Sequence, residues 1–118
     1  MRISIKGRNV AVNDELRERV EKRFAKVARQ VSPHAELEIE LMEERNPSIR
    51  DSQVAEATLH LKGVTLRAHE ASESMVHSIN EVGEEIARQV KRHRDKRRGR
   101  RHAARPAEAP IDIPPAPA

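Results

Sequence analysis

The segment around Lys62 and Gly63 limits the possible folds more than any other part of this sequence. Residues 53–70 alternate apolar and polar side chains on both sides of that dipeptide, with the period of strands that bury one face. Glycine supplies the positive φ that a two-residue hairpin turn needs. Pairing Leu61 with Val64 places the apolar residues of both strands on one face, so the sequence predicts a hairpin of defined register.

Two further strands are predicted before the hairpin. Residues 2–8 and 35–42 alternate in the same way, and the second of these segments carries glutamates on its polar face. Residues 43–52 contain Asn-Pro and have no period, which indicates an exposed loop.

Two helices are predicted from apolar residues spaced by three and four. The first is capped by Asn13 or Asp14 and ends before Pro33; the second opens at Ser72 or Ser74. Their apolar stripes are Leu16, Val20, Phe24, Val27 and Val31 in the first helix, and Met75, Ile79, Val82, Ile86 and Val90 in the second. Gly83 lies beside the second stripe and costs about 1 kcal/mol of helix propensity, which close approach of the first helix would offset.

The element order is therefore β-α-β-β-β-α, an α+β fold. A strand–helix–strand start demands a parallel pair, and the meander that follows adds antiparallel neighbours, so we expect a four-stranded sheet ordered 1-2-3-4. Both helices are expected on one sheet face, with the other face covered by solvated charges.

Positive charge is concentrated near the C-terminus. Residues 88–105 hold ten Lys or Arg and one acidic residue, Asp95, whereas residues 1–87 are slightly acidic. Helical spacing continues through residue 98 without apolar positions after Val90, so the second helix should extend beyond its core. We expect a domain over residues 1–98, and a basic, then Pro/Ala-rich disordered tail or truncated linker over residues 99–118.

Composition excludes several classes of function. The absence of Cys removes disulfides and cysteine-ligated metals and is compatible with a reducing, cytoplasmic location. No apolar run exceeds three residues, so no membrane span is expected. With no Trp or Tyr and a single Phe, base stacking on aromatic rings is also excluded, and a nucleic acid would have to be held by charge and shape.

No catalytic or metal-binding constellation is predicted. Glu36, Glu38 and Glu40 are spaced about 7 Å apart along a strand, which is too far to share a proton or one tight metal ion. No His pair has the i, i+4 spacing of a zinc motif, and no phosphate loop or nucleophile elbow is present. We therefore expect no enzyme, no cofactor and no small-molecule substrate.

The helices carry the candidate binding residues. Helical projection places Arg19, Arg23 and Lys26 on one flank of the first helix. Arg92 and Lys96 lie on one flank of the second, so the two flanks could merge into a basic groove. Outward positions are Lys22 and Arg29 on the first helix and Arg88 and Lys91 on the second. The cations of the first helix could equally be ordinary solubilising charge, since glutamates lie on the same helix. The cations of the second helix after Arg88 are poorly explained in this way.

Four segments of the sequence resemble the ribosome hibernation promoting factors, also called the ribosome-associated inhibitor or protein Y family. They are I-x-I-x-G-R-N-V at residues 3–10, L-R-E-R-V-E-K-R-F-A-K-V at 16–27, A-T-L-H-L-K-G at 57–63 and I-A-R-Q-V-K-R-H-R-D-K at 86–96. The resemblance covers residues 2–98. It implies a fold similar to a double-stranded-RNA-binding domain with an added first strand, in either a short family member or the N-terminal domain of a long one.

The resemblance also implies a function. Family members bind the small ribosomal subunit and its rRNA, compete with tRNA and mRNA, and inhibit translation by occlusion. The family's basic positions fall here on Arg23, Lys26, Arg88, Arg92, Arg94 and Lys96, to which helical projection adds Lys91. Secondary candidates for RNA binding are Lys22, Arg29, Arg97 and Arg98.

Two alternatives remain at the level of sequence. One is a general structured-RNA-binding module that is not tied to the ribosome. The other is a protein adaptor that uses the acidic open face of the sheet, with the basic segment serving only solubility.

Overall fold

The protein is represented by a computed structural model, which describes residues 1–46 and 48–103, with the backbone alone over residues 97–103. The elements are β1 (Arg2–Arg8), α1 (Asp14–Arg23), α2 (Ala25–Gln30), β2 (Glu36–Glu43), β3 (Gln53–Leu61), β4 (Val64–Ser72) and α3 (Met75–Ala103).

The four strands form one sheet in the order β1-β2-β3-β4. β1 pairs with β2 in parallel, and the other two pairs are antiparallel. Leu61 lies opposite Val64 and Leu59 opposite Leu66, as the alternation predicts, and Gly63 has a φ of 82° in the turn. The predicted fold class, strand order and hairpin register are confirmed.

The helices pack on one face of this sheet and enclose a single hydrophobic core. Leu37, Ile39 and Leu41 of β2 are almost completely buried. Most residues of the two helical stripes are buried with them, whereas Leu16, Val31 and Met75 at the stripe ends are half-buried. The fully buried helical residues include Val20, Phe24, Ile79, Val82 and Ile86. Burial of each such side chain contributes about 1.5–3 kcal/mol, so the two helical stripes are the main attachment of the helices to the sheet.

The first helix differs from the prediction of one continuous element. It is interrupted at Phe24, whose φ of −96° and ψ of 4° lie outside the α-helical values, so α1 and α2 are separate. Backbone bonds still cross the interruption, since Phe24 N donates to Val20 O at 3.0 Å and Ala28 N to Phe24 O at 2.9 Å. The spacing of apolar residues does not reveal this interruption, because the non-helical backbone is confined to one residue.

The last helix begins after Ser74, whose Oγ accepts a hydrogen bond from His77 N at 3.4 Å. The Ser72 hydroxyl instead donates to Ser74 O at 2.7 Å. Of the two serines that the sequence offered, Ser74 is therefore the N-cap. α3 continues to Ala103, so residues 99–103 are helical and do not begin a tail at Gly99. The expected tail over residues 104–118 lies outside the described residues.

The opposite face of the sheet carries paired charges. Arg2 Nη2 lies 3.4 Å from Glu36 Oε2, and Arg8 Nη2 lies 3.8 Å from Glu40 Oε2. These pairs are largely exposed, as expected of solvated strand faces, and each contributes little to stability. Within the described part of the chain, no helix has the length and apolar composition needed to cross a bilayer.

Candidate nucleic-acid interface

Helix α3 extends beyond the hydrophobic core. Val90, at 3% exposure, is its last buried residue among the side chains that the structure describes, which end at Lys96. Among the residues that follow, Lys91, Arg92 and Lys96 are exposed, whereas His93 and Arg94 are half-buried. The exposed cations of α3 therefore form an outer group, while Arg94 and the neighbouring His93 lie closer to the body of the protein.

The first two helices lie beside α3 and run in the same direction. Arg23, at the end of α1, contacts α3 near Asn80 and Glu84, and the residues that end α2 share a cleft with Val90 and Arg94. From Arg23 to the end of α2 the chain advances by seven residues, and the facing positions of α3 advance by about ten. Arg23 is thereby brought against α3, whereas a basic groove that also includes Lys26, Arg92 and Lys96 stays a prediction.

Five charged residues form a continuous row across this helical face. Arg23 Nη2 lies 3.9 Å from Glu84 Oε2, and Glu84 Oε1 accepts a hydrogen bond from Arg88 Nη1 at 3.2 Å. Arg88 also donates through Nε and Nη2 to Glu85 Oε1 at 3.1 and 2.9 Å. Arg92 Nη2 lies 3.5 Å from Glu85 Oε2. We call Arg23, Glu84, Arg88, Glu85 and Arg92 the arginine–glutamate row.

The row fixes the charge state of its central carboxylate. Hydrogen bonds from Gln89 and then Arg88 lower the pKa of Glu85, and the charges of Arg88 and Arg92 act in the same direction. The pKa of Arg88 is raised, chiefly by its hydrogen bonds to Glu85. Glu85 is therefore ionised at neutral pH and holds two arginine side chains in place before any ligand binds.

Gln89 connects the row to the sheet. Its Nε2 donates to Arg67 O of β4 at 2.7 Å and to Glu85 Oε2 at 3.0 Å. The carboxylate of Glu85 is consequently anchored to the sheet as well as to its own helix. This support restricts the positions of Arg88 and Arg92, which reduces the conformational entropy that they would lose on binding a ligand.

The remaining predicted cations divide into four groups. Lys22 of α1 and the α2 residues Lys26 and Arg29 are exposed and form no ion pair with a described carboxylate. The exposed Lys91 and Lys96 project from α3. Arg94 lies apart from the row, beside a cleft. Arg97 and Arg98 belong to α3, but their side chains lie outside those that the structure describes.

Sequence reasoning missed the carboxylates of the row. Glu84 and Arg88 are four residues apart, and Glu85 and Arg88 are three apart, which are the spacings at which helical side chains meet. That signal was available in the sequence. The connection of Gln89 to Arg67 O was not, because it depends on how α3 lies against β4.

The arrangement favours binding of phosphates over chemistry. Arginine guanidinium groups bind phosphate oxygens through paired hydrogen bonds, so Arg23, Arg88 and Arg92 are chemically suited to hold phosphates. Among the described residues, no group of three or more His, Asp or Glu is placed to hold a metal ion.

The fold and this surface define a class: small α+β domains in which helices on one face of a four-stranded sheet display arginine and lysine. The chain belongs to the Sigma 54 modulation protein / S30EA ribosomal protein family, whose model matches residues 3–98. This finding confirms the resemblance to the ribosome hibernation promoting factors.

Individual relatives agree with this assignment. The chain is 32% identical over 88 residues to a ribosome hibernation promotion factor from Picosynechococcus sp., a match that covers 74% of this chain and 46% of the relative. The chain thus spans about half the length of that curated relative.

Solved structures share the fold. The N-terminal domain of Protein Y from Thermus thermophilus superposes with a TM-score of 0.68 and 26% identity, over 79% of this chain and 99% of that one. A ribosomal subunit interface protein from Coxiella burnetii has a TM-score of 0.65 at 19% identity, over 80% of this chain and 99% of its own, and supports the fold alone.

Proposed function

We propose that this chain is a cytoplasmic ribosome hibernation factor. It binds the small ribosomal subunit through rRNA phosphates, occupies the positions of tRNA and mRNA, and inhibits translation by occlusion. It acts by binding, without a cofactor or a catalytic residue. The observation that carries the proposal is the arginine–glutamate row, which continues into the exposed cations of α3 in a chain that belongs to this family.

The geometry of α3 supports a contact with folded RNA. Arg88, Lys91, Arg92 and Lys96 are carried by one helix that is fixed to the core as far as Val90. A rigid rod of cations can enter a groove or a junction between RNA helices, where phosphates approach from several sides. Binding of this kind reads charge and shape and needs no aromatic side chains.

Cosedimentation with purified small subunits tests the proposal. The chain is expected to pellet with the subunits at low salt and to be released as salt is raised. A variant with Arg88→Ala and Arg92→Ala should lose most of this binding. The matched control is Lys6→Ala with Arg67→Ala, which removes the same charge from the opposite face of the sheet and should bind like the parent chain.

Competition with tRNA separates occlusion from general RNA binding. On the proposed function, tRNA bound to the small subunit and this chain exclude one another. Binding that is equally strong in the presence of saturating tRNA would favour the general structured-RNA-binding module. Undiminished binding by the Arg88 and Arg92 variant, with loss in the control, would favour an adaptor that uses the sheet face.

A further inference from the structure

A cleft of about 870 Å³ opens at the end of the sheet where β2 begins and β3 ends. It lies between the end of α2, the connection into β2, the turn between β3 and β4, and α3 around Val90. A cleft of this volume accommodates one small ligand or one nucleotide. No residue of the arginine–glutamate row lines it, so the cleft is a separate feature of the helical side.

The floor of the cleft is apolar. Val31 and Leu61 are half-buried there, and Ala35 and Val90 belong to the buried core. Val31 and Leu61 remain partly accessible because the residues of α3 after Val90 are polar and cannot extend the core over them. Such a floor can contact the face of a flat ring.

Cationic and imidazole groups surround this floor. His93 and Arg94 occupy the positions of α3 at which its apolar stripe would have continued, and both are half-buried at the cleft. Lys62 reaches it from the turn and His34 from the connection between α2 and β2. None of these four forms an ion pair with a carboxylate of the described residues.

The acidic residue of the lining is already neutralised. Glu36 Oε2 lies 3.4 Å from Arg2 Nη2, and the nearby His60 Nε2 lies 3.3 Å from Glu38 Oε2. The cations of Lys62 and Arg94 are therefore not balanced within the cleft. This imbalance favours an anionic ligand.

Arg94 provides a second, independent observation. Its Nε is enclosed, and no described residue supplies a hydrogen-bond acceptor for it. A buried donor without an acceptor costs free energy, which a ligand oxygen would recover once the half-buried side chain of Arg94 turns into the cleft. The guanidinium plane also offers a surface on which a base can stack.

We propose that this cleft binds one unpaired nucleotide of RNA, with its base on the apolar floor and a phosphate at Arg94 and Lys62. The inference rests on the proposed function in that it assumes an RNA partner, and it adds a site for a single base. A base within a duplex is stacked on both faces and cannot enter, so the site selects a bulged, looped or terminal nucleotide. The exposed Lys91 and Lys96 of the same helix can contact the flanking phosphates.

Titration of the full chain with uridine monophosphate and adenosine monophosphate, followed by NMR, tests the cleft directly. The methyl signals of Val31, Leu61 and Val90 are expected to shift with either nucleotide. The Arg94→Gln variant should lose these shifts, whereas Lys6→Gln, which removes the same charge from the opposite face of the sheet, should retain them. Equal shifts with inorganic phosphate alone would overturn the assignment of a base site.

An RNA hairpin with one bulged uridine, compared with the same hairpin fully paired, tests selectivity. The parent chain is expected to bind the bulged form about tenfold more tightly. Arg94→Gln should remove this preference, and Lys91→Gln should weaken binding to both RNAs to the same extent. Equal affinities of the parent chain for the two hairpins would overturn the proposal. Methyl shifts that follow the protein concentration and not the nucleotide concentration would overturn it as well.

The two proposals fail in different ways. A chain that cosediments with small subunits but shows no nucleotide-induced shifts would overturn the cleft and leave the ribosomal function intact. A chain that binds the bulged hairpin through Arg94 but does not bind subunits would support the cleft and overturn the ribosomal function.

Discussion

The side chain of Arg23 lies directly across Gly83, where α1 meets α3. A Cβ atom at position 83 would be 2.6 Å from Cγ of Arg23 and 3.0 Å from its Nε. The same Nε donates a hydrogen bond to Asn80 O at 3.0 Å. The glycine therefore provides the space through which an arginine of one helix reaches the backbone of the other, and the two helices approach closely here as predicted.

Replacing Gly83 with alanine should destabilise the protein even though alanine favours a helix. Gly83→Ala gains about 1 kcal/mol of helix propensity, but displacing Arg23 loses a charged hydrogen bond of about 1.5–3 kcal/mol. We expect a net loss of about 1 kcal/mol in the free energy of unfolding, measured by urea denaturation.

A double-mutant cycle provides the control for that prediction. In an Arg23→Ala background the contact is absent, so Gly83→Ala should stabilise by up to about 1 kcal/mol. If Gly83→Ala has the same effect with and without Arg23, the contact across α1 and α3 is not what requires glycine.

Neutralising Glu85 should strengthen binding to RNA. Glu85 competes with phosphates for Arg88 and Arg92, so Glu85→Gln is expected to raise affinity for small subunits about two- to fivefold at low salt. Glu56→Gln makes the same change on the open sheet face and should have little effect. A fall in affinity on Glu85→Gln would show that holding the arginines in position matters more than the competition.

The lowered pKa of Glu85 predicts a pH dependence of stability. A carboxyl with a lower pKa in the folded state binds its proton more weakly there than in the unfolded chain. Its stabilising contribution is therefore present above the unfolded value, about 4.3, and is lost as pH falls through the folded value.

Thermal unfolding of the parent chain and of Glu85→Gln measures this contribution. The difference in Tm should be constant between about pH 7 and pH 5 and should shrink below about pH 4. Because the partner arginines are largely exposed, the difference is expected to be small and to decrease with added salt. A difference that grows on acidification would contradict the assignment.

Much of the fold follows from alternation and helical spacing. The register of β3 with β4 follows from a hairpin turn and from the requirement that Leu59 and Leu66 share a buried face. The interruption at Phe24 does not follow, because it changes the backbone of one residue without disturbing the apolar stripe. Likewise, α3 continues through Gly99 although glycine has a low helix propensity, so the sequence does not predict this extension.

The candidate site was less accessible to sequence reasoning. Helical projection places Arg88 outward and Arg92 on a flank of α3, and the side chains of both are exposed. The separation of Arg94 from those residues depends on how far the sheet extends beside α3, which no local pattern reports. Its neighbours in the cleft, His34 and Lys62, are brought to it by turns that are distant in the chain.

The salt dependence of binding should report each phosphate contact separately. Arg92→Ala is expected to reduce the slope of log K against log salt by about 0.9 if that residue contacts one duplex phosphate, because one fewer counterion is released. Arg67→Ala, on the opposite face, should leave the slope unchanged. Equilibrium binding of labelled chain to small subunits across a salt series measures both variants. Since the two variants remove the same charge, a general effect of net charge would lower both slopes equally, whereas a contact through the helical face lowers only that of Arg92→Ala.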